Sequence, residues 1–443
     1  MKTIILLFVL FCANLQAFTL KIVGAGPIGL ISAIKAKILF EQKKENLEII
    51  FFEKREERGR ENILQIDWNS LVSKNEVILK HPLYQQLLLI LKEYKVGKKD
   101  KLRIKTNELE LILKDLLVPF ATFYYEEIHE ENVMRFLQNR NDSGNSAILA
   151  TDGAHSFMRK HFFATEEYPE GLESEHIFQY LALLRYTIKG KMKDEHPIHN
   201  FVKQVDLSQD YLFNLQEIHG HYDEETQTTP MSIFINIDAP TYQELDRNYS
   251  FKSPYIWSEN PENIPVKLYT SAKVWIDDLS YYNQELFQDT AKINGVKISY
   301  YKAPHVYQFS QELNSPLFLA GDSALGLPWM RSLNAGLLVT DNLSENLLKY
   351  SLNTFDPKEY STFFQTMAKM EIDKAIARAQ KVKKEIKFVK NYSALCNFPP
   401  INLMRKEGAK VLAKTTGKST LAKKTAGTIV WLINPKFYNE FYQ

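Results

Sequence analysis

A glycine-rich loop between two apolar runs constrains the fold of this 443-residue chain most strongly. The loop at 24–29 reads GAGPIG, follows the strand-like run Phe18 to Val23, and leads into helical apolar spacing from Leu30 to Leu39. The next run, Leu47 to Phe52, is again strand-like. Strand, helix and strand over about 35 residues form a βαβ unit, which predicts a parallel sheet with helices on its faces.

The spacing of the three glycines matches the fingerprint of a dinucleotide site. Gly24 permits the tight turn, Gly26 lets the backbone approach a pyrophosphate, and Gly29 lets helix and strand pack closely. The second strand ends in Glu53, 24 residues past Gly29, where an acidic residue meets the adenosine ribose. An acidic residue there favours an unphosphorylated ribose, so FAD or NAD is expected rather than NADP.

The pattern changes between about Ser174 and Tyr301, where short β-rich runs such as Tyr180 to Ile188 and Met231 to Ile237 alternate with polar turns. Because these runs lack intervening long helices, they predict an inserted antiparallel sheet. The expected domains are 18–173 with 302–354 for the nucleotide-binding part, 174–301 for the insertion, and 355–443 for a C-terminal helical region.

Two later segments also follow strand-like runs and contain acidic residues. Residues 151–159 read TDGAHSFMR, and residues 317–324 read LFLAGDSA. Further along, Pro328, Asn334, Gly336 and Asp341 stand in order. A carboxylate at the end of a buried strand, as at Asp322, is well suited to accept hydrogen bonds from hydroxyl groups.

These segments resemble the group A flavoprotein monooxygenases, the family of p-hydroxybenzoate hydroxylase and kynurenine hydroxylase. That family has a D-G-x-x-S-x-x-R motif after a strand, and all four fixed residues stand here between Asp152 and Arg159. The resemblance covers roughly residues 19–347. It implies that Asp152 and Gly153 lie near the FAD pyrophosphate. It also implies that Gly321, Asp322 and Asn334 belong to the FAD site, with Asp322 on the ribityl chain.

The resemblance therefore implies an α/β fold, with a Rossmann-type FAD-binding domain, an inserted antiparallel β-sheet substrate domain and C-terminal helices. It implies a monooxygenase that takes electrons from NADPH or NADH and transfers one oxygen atom of O₂ to a small-molecule substrate. Because the cofactor carries the chemistry, no side chain is assigned as acid, base or nucleophile.

One turn departs from the family pattern. Where the family usually has two glycines beside the flavin ring, this chain has Met330 and Ser332. Backbone that passes close to a cofactor usually needs glycine, so these side chains are expected to crowd or reshape the space where oxygen and substrate approach. Two alternatives therefore stay open: a flavin-containing binding or effector protein with little turnover, and an FAD-dependent reductase acting on a carbon–carbon double bond.

A shorter likeness is to the monooxygenase domain of the MICAL proteins. It covers EKR at 53–55 and RENIL at 60–64. The likeness implies that Lys54 and Arg60 belong to the cofactor site, with Arg60 beside the phosphates. In a following helix, Asn107 and Glu108 stand where that family has Arg and Gln.

The N-terminus resembles a signal peptide. Lys2 precedes an apolar run from Ile4 to Ala13, which is too short to span a bilayer, and Ala17 suits a cleavage site. Cleavage after residue 17 would mean an exported, periplasmic or secreted protein. The alternative is an extension packed beside the first strand, in a cytoplasmic or membrane-associated protein.

Composition and charge exclude some other classes. Cys12 and Cys396 are the two cysteines, so a disulfide framework is excluded once the first is removed. A net charge of +2 gives no reason to expect nucleic acid as a partner, and the ten histidines show no metal-ligand spacing. Between Lys374 and Lys424 fourteen basic residues face two acidic ones. A solvated helix surface is preferred there, with contact to an anionic membrane surface as the alternative.

Overall fold

The computed structural model describes residues 17–56, 62–96, 100–139, 145–191, 218–251, 253–257, 261–281, 290–328 and 331–396. Arg60, Met330, the chain after Cys396 and the expected signal peptide, apart from Ala17, lie outside these residues. The signal peptide, export and membrane contact stay predictions. The chain forms two compact units: the first takes in residues 1–179, 219–221 and 297–378, and the second takes in 180–218, 222–296 and 379–443.

The strands, numbered in chain order, are β1 (Phe18–Val23), β2 (Leu47–Phe52), β3 (Ile63–Asp67), β4 (Lys95–Val96), β5 (Lys101–Lys105), β6 (Ala121–Tyr124), β7 (Ser146–Ala150), β8 (His176–Lys189), β9 (Ile218–His219), β10 (Thr228–Ile237), β11 (Tyr255–Ile256), β12 (Lys292–Lys302), β13 (Tyr307–Ser310), β14 (Ser315–Leu319) and β15 (Leu325–Gly326).

The α-helices are α1 (Pro27–Gln42), α2 (Trp68–Leu71), α3 (Glu76–Lys80), α4 (Pro82–Lys92), α5 (Thr106–Leu117), α6 (Val133–Leu137), α7 (Phe157–Phe162), α8 (Ala239–Asn248), α9 (Val266–Tyr281), α10 (Arg331–Ser351) and α11 (Pro357–Cys396). Short 3₁₀ turns cover Pro261–Asn263 and Gly321–Ser323. Among the helices that the structure describes, none is long and apolar enough to cross a membrane.

The first unit is built on a sheet with the strand order β13-β14-β7-β1-β2-β6. From β14 to β6 the strands are parallel, and β13 pairs antiparallel at one edge. Val23 lies opposite both Phe52 and Ala150, and Ala150 lies opposite Leu319, so the carboxyl ends of four strands share one edge. The predicted parallel sheet is confirmed. The strand order reverses between β1 and β7, which is where open α/β sheets bind ligands.

Helix α1 lies deep in this unit, with twelve of its sixteen residues buried. A helix that is apolar on all sides is typical of a position inside a core. One charged residue lies among the buried ones: the ammonium of Lys35 is 2.5 Å from a carboxylate oxygen of Asp341 in α10 and 2.7 Å from the hydroxyl of Thr340. Burial lowers the pKa of Lys35, and the Asp341 carboxylate opposes that shift. This ion pair joins the first helix of the unit to a helix 300 residues later.

Replacing Asp341 with Asn is expected to destabilise the protein by about 3 kcal/mol, because it leaves the Lys35 charge buried without its counter-ion. The measurement is urea unfolding followed by circular dichroism. The control is Glu76→Gln, which breaks an exposed pair with Lys80 whose side chains are 78% and 74% accessible. That change is expected to cost less than about 0.5 kcal/mol. Equal shifts for the two variants would contradict the role of the buried pair.

A smaller antiparallel sheet, β3-β5-β4, also belongs to the first unit. The alternation along β5 buries Leu102 and Ile104, while Lys101, Arg103 and Lys105 are partly exposed. This period of two is what a sheet covered on one face requires. Strand β15 pairs with the end of β12 through Tyr301↔Gly326.

The second unit contains the predicted antiparallel sheet, in which β8 pairs with β10 from Tyr180↔Ile237 to Lys189↔Thr228. The expectation that no long helix interrupts this region is wrong, because α9 covers Val266–Tyr281. Leu268 and Ala272 of α9 are buried in the same core as the sheet residues. A helix of this length is only marginally stable by itself, and packing against a sheet face stabilises it.

The unit boundaries fall inside strands, at 179/180 in β8 and 296/297 in β12, a few residues from the expected 173/174 and 301/302. A C-terminal helical region was expected from residue 355, and α11 up to residue 378 lies in the first unit. Tyr360, Phe364 and Ala368 of this helix are buried in the first core. Their spacing of four residues presents one apolar face to that core.

Candidate functional site

The loop after β1 is held tightly against the end of β7. Gly24 has a φ of +96°, and a β-carbon there would lie 2.5 Å from the carbonyl oxygen of Thr151. A β-carbon at Gly29 would lie 2.5 Å from the Thr151 hydroxyl and 2.6 Å from the Gly24 oxygen. Both glycines are therefore required by the packing of the protein itself.

Gly26 is different. It precedes the first turn of α1, its backbone is compatible with other residues, and a β-carbon there would have no described atom within 4 Å. A β-carbon at Gly153, after β7, would also meet no described atom within 4 Å. The two glycines thus border open space on either side of the point where the strand order reverses. Glycine at position 26 keeps the start of α1 accessible to a ligand.

Glu53 follows β2, and its buried carboxylate is tied to the glycine loop. One oxygen accepts a hydrogen bond from the backbone N–H of Ala25 at 2.8 Å, and the other accepts from the backbone and side chain of Arg55, both at 3.2 Å. A carboxylate has about four lone-pair sites, so these bonds leave capacity for hydroxyl donors. Lys54 instead forms a surface ion pair with Glu127 at 3.2 Å. Its role at a cofactor stays a prediction.

The carboxylate of Asp152 joins two loops of the protein. It accepts hydrogen bonds from the backbone N–H of Met158 at 3.2 Å and from the Ser323 hydroxyl at 3.1 Å. The Ser323 oxygen in turn accepts from the N–H of Gly153 at 3.2 Å. Burial raises the pKa of Asp152, while hydrogen bonds from Ser156, Met158 and Ser323 oppose the shift. Of the predicted Asp152–Gly153 pair, Gly153 is the residue that borders open space.

Arg159, the last fixed residue of the 152–159 motif, is almost fully buried. Its guanidinium donates to the carbonyl oxygens of Ser323 at 3.0 Å, Ala154 at 2.8 Å and Glu170 at 3.3 Å. Burial lowers the pKa of Arg159, and nearby groups including Asp152 oppose that shift. Arg159 therefore holds the loops after β7 and β14 together. In the sequence, Arg159 was recognisable only as the last fixed residue of the 152–159 motif.

Tyr301 was not found from the sequence, where it marked only a domain boundary. Its hydroxyl donates to the backbone oxygen of Asp322 at 2.9 Å, and its ring lies 5.7 Å from the Arg159 guanidinium. Burial raises the pKa of Tyr301. No local pattern distinguishes this tyrosine from its neighbour Tyr300, because the contact depends on the pairing of β12 with β15.

Asp322 lies in the 3₁₀ turn after β14, and its side chain is exposed at the same sheet edge. Its carboxylate accepts a hydrogen bond from the Ser332 hydroxyl, which also lies 3.0 Å from the carbonyl oxygen of Leu325. Ser332 is thus turned towards Asp322. The expectation that Ser332 crowds or reshapes the space beside the flavin stays a prediction, and Met330 lies outside the described residues.

The side chain of Asn334 is engaged with β3. Its amide oxygen accepts from the N–H of Asp67 at 2.8 Å, and its amide nitrogen donates to the carbonyl of Gln65 at 3.1 Å. This pair of bonds imitates a neighbouring strand. Asn334 therefore positions the small sheet, and a direct contact of its amide with a cofactor stays a prediction.

No family model matches the chain, and no curated protein matches it in sequence. Similar solved structures include tetrameric 2-methyl-3-hydroxypyridine-5-carboxylic acid oxygenase, at 11% identity over 85% of this chain and 93% of that one, with a TM-score of 0.49. The 2,6-dihydroxypyridine-3-hydroxylase of Arthrobacter nicotinovorans has 13% identity over 85% and 93%, with a TM-score of 0.46. CtdE in complex with FAD has 14% identity over 80% and 100%, with a TM-score of 0.44. Identities this low carry no information on chemistry, which depends on the side chains of a site.

Replacing Arg159 with Met is expected to destabilise the protein by about 3 kcal/mol, because it leaves the buried carbonyl of Ser323 without its donor and removes two further hydrogen bonds. Urea unfolding of the variant and the wild type measures this. The matched control is Lys160→Met, the next residue of α7, whose exposed ammonium pairs with Glu170. That control is expected to cost less than about 1 kcal/mol. If the two variants unfold alike, the Arg159 bonds do not hold the loops.

Proposed function

We propose that this chain is an FAD-dependent oxidoreductase whose cofactor lies along the carboxyl ends of β14, β7, β1 and β2. One observation carries the proposal: four strand ends bring the open start of α1, the Glu53 carboxylate, Gly153 and the exposed Asp322 carboxylate to a single sheet edge. These groups lie far apart in the sequence. Their chemistry suits the successive parts of a dinucleotide.

The start of α1 suits the pyrophosphate. The first turns of a helix present backbone N–H groups without helical partners, and the helix dipole is positive there. No side chain of the described residues caps Gly26, and the first turn, PIGL, has no acidic residue to neutralise the dipole. Since Gly26 also keeps its side of the loop open, an anionic diphosphate can approach the backbone directly.

The two carboxylates suit the hydroxyl-bearing parts. Glu53 lies beside the glycine loop at the end of β2, where an adenosine ribose would donate its hydroxyls. Asp322 follows β14, with β1 and β7 between these two strands. Hydrogen bonds to an ionised acceptor are about twice as strong as neutral ones, so both positions favour a ligand rich in hydroxyl groups. FAD has such groups on either side of its pyrophosphate.

The finer function that we propose is that of a monooxygenase acting on a small-molecule substrate, with NADPH or NADH as transient electron donor. The motifs at 152–159 and 317–324 support it through their resemblance to flavoprotein hydroxylases. When bound, FAD supplies electron transfer between a nicotinamide and oxygen. The residues of this chain hold the pyrophosphate at α1, orient the hydroxyl groups through Glu53 and Asp322, and fix both loops through Arg159.

Gly26→Ala is expected to weaken FAD binding at least about tenfold, or about 1.4 kcal/mol, because the methyl group occupies the space of the pyrophosphate. The measurement is titration of apoprotein with FAD by fluorescence quenching, together with its thermal unfolding midpoint. The midpoint of Gly26→Ala is expected to match the wild type. The contrasting variant is Gly24→Ala, which is expected to lower it, since a β-carbon there meets Thr151. Unchanged FAD affinity in Gly26→Ala would count against this site.

Addition of NADPH or NADH to the anaerobic holoprotein is expected to bleach the flavin absorption band, and more rapidly with substrate present. Admitting oxygen should restore the band and consume O₂. If neither nucleotide bleaches the bound flavin, the proposed electron donor is wrong, although FAD binding stands. Product formation without oxygen consumption would indicate a reductase instead.

A further inference from the structure

The backbone of the turn Gly321–Ser323 is held by side chains from three other segments. Tyr301 donates to the backbone oxygen of Asp322 at 2.9 Å, and Arg159 donates to that of Ser323 at 3.0 Å. The Ser323 hydroxyl donates to Asp152 at 3.1 Å and accepts from the N–H of Gly153. These bonds leave the backbone of Asp322 little freedom to move.

The side chain of Asp322 is exposed, so burial does not fix its orientation. One of its carboxylate oxygens accepts a hydrogen bond from Ser332, in the first turn of α10. The Ser332 hydroxyl also lies 3.0 Å from the carbonyl oxygen of Leu325, so two acceptors direct it towards the turn. A glycine at position 332 has no group that could make this bond.

We propose that Ser332 is a positioning residue, which holds the Asp322 carboxylate in the orientation that accepts the ribityl hydroxyls of FAD. The inference rests on the proposed function. A carboxylate takes about four hydrogen bonds, so the one from Ser332 does not compete with those from a polyol chain. Fixing the carboxylate before binding lowers the conformational entropy lost when the ligand arrives.

The same residue could also act only as a brace between α10 and Leu325. In that case its loss would loosen the turn whether or not Asp322 carries a charge. The two roles therefore differ in their dependence on Asp322, and a double-mutant cycle separates them.

The experiment compares FAD dissociation constants of wild type, Ser332→Ala and Ser332→Thr by fluorescence quenching of apoprotein. Ser332→Ala is expected to bind FAD roughly fivefold more weakly, the factor that corresponds to the entropy cost of fixing one side chain on binding. Ser332→Thr keeps the hydroxyl and is expected to bind FAD like the wild type. Thermal unfolding of the three apoproteins is expected to coincide, because the bond lies on an exposed carboxylate.

The cycle adds Asp322→Asn alone and combined with Ser332→Ala. Asp322→Asn is expected to weaken FAD binding, and Ser332→Ala to add no further loss in that background. An equal loss in both backgrounds, a lowered unfolding midpoint of Ser332→Ala, or unchanged binding by it would overturn the positioning role. If wild-type apoprotein itself fails to bind FAD, the proposed function fails instead. If Asp322→Asn alone binds FAD like the wild type, the ribityl role of Asp322 fails and the inference fails with it.

Discussion

The close contact between the loop after β1 and Thr151 at the end of β7 is the constraint on which the rest of the site depends. Gly24 and Gly29 both approach Thr151 so closely that a β-carbon at either would overlap it. This contact sets α1 against the sheet with its first turn at the edge where the strand order reverses. The start of α1, Glu53 and Gly153 then share one edge because the strands that precede them are parallel and in register.

The polar groups of this edge divide into two sets with different physical roles. Asp152, Arg159 and Ser323 bond to one another or to backbone groups, and so form a buried network that fixes the loops after β7 and β14. Such a network is rigid when all its members are satisfied. Glu53 and Asp322 form the second set, at the sheet edge where we propose that FAD binds. The proposed chemistry depends on this division, since rigid loops keep binding groups in place before the ligand arrives.

Much of the architecture was predictable because its signals are local. The βαβ unit from β1 to β2 has apolar periodicity and glycine spacing within about 35 residues, which is the range over which such patterns operate. An antiparallel sheet was predicted from short β-rich runs separated by polar turns, although the premise that no long helix intervenes was wrong. Helix α9 and the burial of α11 beside Tyr360 in the first unit were not, because both depend on apolar faces supplied by distant strands.

The sequence by itself determined that a dinucleotide-type loop, an acid after the second strand and a Gly-Asp turn are present and in order. The tertiary structure decided which polar groups lie at the sheet edge and which form hydrogen bonds within the protein. In the folded chain, Asp152 accepts a hydrogen bond from Ser323, and Asp322 accepts one from Ser332. The side chain of Asn334 bonds to β3. The reason is that the direction of a side chain depends on partners far along the chain, and spacing within a motif contains no information about them.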